Sequence, residues 1–133
     1  MPKILKSKDE WKRDLDEISF RVTREGATEK PFSGQYNQFY EKGIYKCICC
    51  GNELFDSSRK FDSGTGWPSF DDPLSSTSLE ELEDHSHGMM RVEVKCMNCS
   101  AHLGHVFDDG PSPTNKRYCI NSASLKFIKS KNG

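Results

Sequence analysis

MMRVEVKCMNC, residues 89–99, alternates apolar and polar side chains by twos as far as Cys96 and closes on a C-x2-C pair. Such alternation marks a half-buried strand, because successive side chains point to opposite faces. Two cysteines three apart at its end form a knuckle, whose thiolates can reach one ion at about 2.3 Å from a single tight turn. The same knuckle occurs as CICCG at residues 47–51, after another alternating stretch at 44–47. Together Cys47, Cys50, Cys96 and Cys99 make an all-thiolate set. Zinc suits it, being tetrahedral, thiophilic and without redox chemistry of its own. One structural zinc per chain would staple segments far apart in sequence, and four protein ligands leave no open position for catalysis. The same residues also admit an iron centre, two disulfides, a redox C-x-x-C, or a mixed set in which His102 or His105 replaces a cysteine.

Outward from the knuckles, residues 117–121 and 124–129 alternate as well and read as further antiparallel strands. At the N-terminus Ser7 and Glu10 form a capping-box pair, and Trp11, Leu15 and Ile18 recur with helical spacing, which predicts one helix over 8–18. Between Phe20 and Phe39, Gly26, Pro31 and Gly34 among aromatics predict irregular packing with short strands and little helix. Ser75 to Asp84 reads as one or two helical turns or as a solvated acidic loop. The fold class expected is mainly β: two packed antiparallel sheets with a short N-terminal helix, zinc-stapled. The 133 residues suit a single domain, 1–133, with its core over about 8–129. An apolar fraction of 34% implies a thin core, but eight Phe, four Tyr and two Trp supply large contact areas, and a net charge of -1 argues against disorder.

Nearly balanced charge, 19 basic against 20 acidic residues, gives no electrostatic reason to expect nucleic acid or an anionic membrane as partner. The apolar runs are far too short to span a bilayer and the start MPKILKSKDE has no signal-peptide core, so a soluble, cytoplasmic monomer is expected. In such a reducing compartment cysteines serve as ligands or catalysts more often than as disulfides. The metal clamp leaves over Cys49, inside the first knuckle, and Cys119. In RYCINS, residues 117–122, the period of two puts Arg117, Cys119 and Asn121 on one strand face. A cation beside a thiol favours the reactive thiolate, and an amide can hold a polar substrate; a buried cysteine acting as a small hydrophobe is the plainer alternative. His102 and His105, on an expected turn at Gly104, could donate or relay protons, or simply pack. Trp67, in the glycine-bounded GTGWPSF at 64–70, could wall a pocket or belong to the core.

These residues, from about Trp11 to Lys129, resemble the methionine-R-sulfoxide reductases, the MsrB family. The resemblance rests on both knuckles, on FDSGTGWPSF (61–70), on HGMMRVEVKCMNCSAHLGHVFDDGP (87–111) and on RYCINSASL (117–125), in the family's order. It implies two packed antiparallel sheets, zinc on the four cysteines, and Cys119 as the nucleophile. His102, His105 and Asn121 would surround the sulfoxide oxygen, Arg117 would flank the thiolate, and Trp67 would meet the substrate methyl. The substrate implied is methionine-R-sulfoxide, in oxidised proteins or free, with sulfenic acid left on Cys119. Many members carry a resolving cysteine where this chain has Thr65, so an external thiol, thioredoxin-like or of low molecular weight, is the expected reductant. Two rivals remain from the residues alone: a zinc-ribbon binding module, for which Cys119 is dispensable, and a redox sensor that is oxidised without turnover.

Overall fold

Ser7 opens the first helix as its side chain implies: its Oγ accepts from the Glu10 N–H at 3.2 Å, and Glu10 Oε1 accepts from the Ser7 N–H at 3.1 Å. In the computed structural model, which describes residues 7–85 and 88–129, this helix, α1, covers only Lys8–Asp14. Leu15 is extended, and Asp16 caps a second helix, α2 (Glu17–Glu25), by accepting from the Ser19 N–H at 2.9 Å. The single helix expected over 8–18 is therefore two. A second N-cap residue competes with propagation, because its side chain satisfies a backbone donor only where the chain leaves the helix. The break also shifts the apolar phase: Trp11, Phe20 and Val22 are buried while Ile18 is 47% exposed. Helix α2 ends at Gly26, in the left-handed region at φ 72°. Little helix was expected after Phe20, yet residues 20–25 are helical; residues 26–42 are irregular, without the short strands expected there.

Among the described residues nine strands follow: β1 (Gly43–Cys47), β2 (Glu53–Asp56), β3 (Lys60–Phe61), β4 (Ser69–Phe70), β5 (Leu79–Asp84), β6 (Arg91–Cys96), β7 (His102–Phe107), β8 (Arg117–Ile120) and β9 (Leu125–Lys129). They form two antiparallel sheets, a three-stranded one ordered β2-β1-β9 and a six-stranded one ordered β3-β4-β8-β7-β6-β5. The protein is thus mainly β with two packed sheets, as the alternating segments imply. The helical or loop reading of 75–84 is corrected: Leu79–Asp84 is an edge strand in full register with β6. Pairing overrides the local preference because the acidic side chains meet basic ones across the ladder, Glu80 opposite Lys95 and Asp84 opposite Arg91. A charged strand is also what a sheet edge tolerates without recruiting another chain.

The core between the sheets is largely aromatic. Phe55 from the small sheet stacks on Phe70 from the large one at 4.2 Å between centroids, and Tyr45 meets Phe70 edge-on at 5.1 Å. Tyr36 and Phe39, from the irregular segment, close over Tyr45 and Phe127. Rings burying roughly 150–250 Å2 each let a chain with few aliphatic residues still join two sheets. No helix among the described residues is long and apolar enough to cross a membrane.

Candidate active site

Both knuckles sit in hairpin turns, Cys47 to Cys50 between β1 and β2 and Cys96 to Cys99 between β6 and β7. The four sulfurs lie within 4.8 Å of one another, with Cys47–Cys99 and Cys50–Cys96 both at 3.6 Å. Sulfurs at about 2.3 Å from a tetrahedral ion would be about 3.8 Å apart, so the cluster fits a zinc-sized cation. All six cysteines are free thiols, which removes the disulfide alternative, and neither histidine joins the cluster. Crowding holds the Cys47 thiol far above its ordinary range, through hydrogen bonds with the other sulfurs, Cys49 first, and then through burial. The four ligand thiols deprotonate together when a cation supplies the charge. Arg24 on α2 supports the cluster, donating to the Cys99 carbonyl at 3.1 Å and lying 3.5 Å from its sulfur, while Asn52 Nδ2 lies 3.6 Å from the Cys96 sulfur.

Cys119 lies on β8, half-buried, in a cavity of about 250 Å3 lined by Trp67, His105, Arg117, Asn121, Thr65 and Arg91 among others. Arg117, Cys119 and Asn121 do share one face, as the period of two requires. Burial dominates the thiol and raises its pKa above the ordinary value, while Arg117 and the Thr65 hydroxyl pull it down and Glu29 pushes it up. The neighbouring cation does favour the thiolate, as the sequence implies, but desolvation outweighs it. Part of the cation's charge is also spent elsewhere, since the Arg117 guanidinium pairs with Asp109 at 2.8 and 3.2 Å and lies over the Phe107 ring at 4.4 Å.

The histidines are on a strand, not on a turn at Gly104, which pairs with Ile120 inside β7. Residues three apart on a regular strand face opposite ways. Here the β6–β7 register slips, Lys95 facing His102 and Val94 facing Gly104, so Leu103 is the extra residue of a bulge. The slip returns both rings to one side, 5.6 Å apart between centroids. Each is held by a carboxylate: His102 Nδ1 lies 2.6 Å from Glu93 Oε2, and His105 Nε2 lies 2.8 Å from Asp84 Oδ2. Burial lowers the pKa of His102, with Glu93 opposing, and its Nε2 is buried with no hydrogen-bond partner. His105 faces Cys119 directly across the β7–β8 ladder.

Glu29 ties the other walls together. Its carbonyl accepts from Trp67 Nε1 at 3.0 Å, its N–H donates to Asn121 Oδ1 at 3.0 Å, and its carboxylate accepts from the Ala123 N–H at 2.9 Å. Asn121 Nδ2 donates to the Leu103 carbonyl at 2.9 Å. The Asn121 amide thus braces β7 against the irregular segment as well as bordering the cavity. Trp67 is half-buried at the cavity wall on a loop turned by Gly64 and Gly66, both at positive φ. Sequence reasoning missed Glu93, Asp84, Glu29, Arg91 and Thr28. Glu93 was within reach, because it shares a face of the alternating strand with Arg91; Asp84 was lost with the misreading of its strand, and Thr28 and Glu29 lie in a segment without periodicity.

The SelR domain matches residues 15–129 of the chain. A peptide methionine sulfoxide reductase MsrB of Pseudomonas aeruginosa (strain UCBPP-PA14) is 56% identical over 128 residues, covering 96% of this chain and 97% of that protein. Proteins of the same name from Methylibium petroleiphilum and Bradyrhizobium diazoefficiens are 54% identical over 125 residues and 56% over 124, covering 94% and 93% of this chain and 91% and 89% of theirs.

Proposed function

The chain belongs to the MsrB family of peptide methionine sulfoxide reductases, and from that premise we propose that it reduces methionine-R-sulfoxide in oxidised proteins through attack by Cys119 on the sulfoxide sulfur. The observation that carries this reading is the cavity, which sets a half-buried thiol and an imidazole on adjacent strands beside an indole wall. A sulfoxide sulfur becomes a good electrophile when its oxygen is hydrogen-bonded and then protonated as the S–O bond breaks. His105 and His102, each oriented by a carboxylate, supply those protons, Arg117 steadies the charge on Cys119, and Trp67 receives the methyl group. Asn121 keeps the bulged strand in place, with His105 lining the cavity and His102 buried beside it.

The chemistry balances as oxygen transfer. Cys119–SH and the sulfoxide give Cys119–SOH and methionine; the cysteine sulfur loses two electrons and the methionine sulfur gains them. Two external thiols then return Cys119–SOH to the thiol, releasing water and their disulfide. Thr65 offers no sulfur to resolve the sulfenic acid, and Cys49 is engaged with the Cys47 and Cys99 sulfurs of the metal cluster, which supports an external reductant. Cys47, Cys50, Cys96 and Cys99 would hold one zinc ion, which supplies a structural tie and no catalytic position. The cavity needs no second copy to be lined as described, and we place the protein in the cytoplasm as a monomeric repair enzyme. Incubation with separated R and S sulfoxides and dithiothreitol tests the reading: R is consumed over many turnovers, S is spared, and Cys119→Ser is inert. Consumption of S alone, or a single turnover that stops, would overturn it.

A further inference from the structure

Three hydroxyls lie in a row beside the reactive sulfur. Ser69 is fully buried on β4 and is the cross-strand partner of Cys119. Its Oγ donates to the Trp67 carbonyl at 3.2 Å and lies 2.8 Å from Ser63 Oγ; Ser63 Oγ lies 2.8 Å from Thr65 Oγ1. Thr65 borders the cavity with Cys119, and its hydroxyl favours the ionised sulfur. We propose that Thr65, Ser63 and Ser69 form a hydroxyl relay that reverses direction when Cys119 ionises, and so positions and stabilises the attacking thiolate. This deepens the reductase reading, resting on it for the role of Cys119.

Counting hydrogens shows why the row acts as one unit. The chain has four contacts, from the sulfur to the carbonyl. With Cys119 as thiol there are four hydrogens for them: S–H to Thr65, Thr65 to Ser63, Ser63 to Ser69, and Ser69 to the Trp67 carbonyl. Once the proton has left, three remain, and a carbonyl cannot donate. The hydroxyls turn over: Ser69 donates to Ser63, Ser63 to Thr65, and Thr65 to the thiolate. The contact given up is that with the Trp67 carbonyl, at 3.2 Å the longest of the three measured between oxygens. A hydrogen bond to an ionised acceptor is roughly twice as strong as a neutral one, and donors in a chain polarise each other, so the reversal favours the charged sulfur. In this way a cysteine whose thiol is favoured by burial is brought to react with help beyond the charge of Arg117.

The test reads the ionisation of Cys119 without using turnover. The rate of alkylation of Cys119 by iodoacetamide is followed against pH by peptide mass mapping of the zinc-loaded protein. Arg117, His105, Arg91 and Glu29, which face the sulfur from β8, β7, β6 and the irregular segment, are the same in every variant, as are the Asp84 and Glu93 partners of the histidines. Thr65→Val, which keeps the shape and removes the hydroxyl, raises the midpoint by about one unit, a tenfold loss of thiolate at neutral pH. Thr65→Ser restores the parent profile. Ser63→Ala, at a half-exposed position that tolerates the change, shifts the midpoint in the same direction by less, and the double variant shifts no further than Thr65→Val alone. A parent-like midpoint in Ser63→Ala overturns the relay, and so does one in Thr65→Val. If the midpoints move as stated while the parent leaves methionine-R-sulfoxide untouched, the relay stands and the reductase reading fails.

Discussion

Gly104 is where one methyl group tests the placement of the whole site. A Cβ there would lie 2.0 Å from the Cys119 carbonyl oxygen and 3.1 Å from the Ile120 Cα. Side-chain carbons do not come within 3.0 Å of other atoms, and the obstacle is backbone, which has no rotamer to change. In Gly104→Ala, β7 and β8 must therefore part by about 1 Å, and a misplacement of that size costs about 100-fold in rate when it separates reacting groups. The two strands carry His105 and Cys119 as direct partners, so the gap opens between the proposed acid and the proposed nucleophile. Overpacking adds about 1–3 kcal/mol of destabilisation, and each kcal/mol lowers the melting temperature of a chain this size by about 4 °C. The assay is kcat/KM on a methionine-R-sulfoxide peptide, taken well below the melting temperature, together with zinc content and a thermal melt. The expected result is a fall of about 100-fold with full zinc occupancy and a lower but cooperative melt. A variant that melts lower yet keeps the parent kcat/KM would refute the claim that the β7–β8 spacing sets the reacting distance.

Chelation of zinc removes a binding free energy of about 10 kcal/mol or more, comparable to a domain's whole stability, so circular dichroism should show loss of the cooperative melt; an unchanged melt after removal would refute the staple. Arg117→Met deletes a charge that favours the Cys119 thiolate, so the alkylation midpoint moves up by about one unit, and a downward move would show that the guanidinium acts otherwise. Burial lowers the pKa of His102 in the fold, so between the unfolded value, about 6.5, and the lower folded one the unfolded chain binds more protons. Stability due to His102 is thus complete above that window and is lost as pH falls through it; denaturant titrations should show a smaller acid loss in His102→Asn than in the parent. Methionine sulfoxide without reductant should leave a dimedone-trappable sulfenic acid on Cys119, and a Cys49–Cys119 disulfide by peptide mapping would contradict the external reductant.

Much of this molecule was legible because its signals are local. Alternation at 89–96 and 117–121 needs only the pleat of a strand, and C-x2-C needs only a turn, so the sheets and the metal cluster follow from neighbours in sequence. What was misread depends on partners distant in the chain. Leu79–Asp84 has no pattern of its own that demands a strand; it is one because Lys95 and Arg91 wait opposite its carboxylates. The common side of His102 and His105 depends on a register slip that periodicity alone contradicts. The thiol of Cys119 is the clearest case: the cation beside it is visible in RYC, whereas the burial that outweighs it is a property of the packed sheet.

The metal cluster and the cavity are less separate than their chemistry suggests. Glu93 stands three residues before Cys96 on β6, and His102 three after Cys99 on β7, so the hairpin that carries the second knuckle also carries the carboxylate–imidazole pair. The first knuckle reaches the other side. Cys47 pairs with Leu125, the Ile48 N–H donates to the Ser124 carbonyl at 2.9 Å, and Ser124 Oγ donates to the His102 carbonyl at 3.0 Å. Residues 122–124 are the turn that follows Cys119 and Asn121, and its Ala123 N–H is held by Glu29, which also carries Trp67 and Asn121. A cation drawing the two hairpins together therefore fixes where His102 sits relative to the end of β8. The bulge at Leu103 is thus anchored twice, by the Asn121 amide and backbone N–H on its carbonyl and by the sulfur cage at the end of its strand, so under the proposed mechanism ligands that never touch substrate would help set where the His102 ring sits.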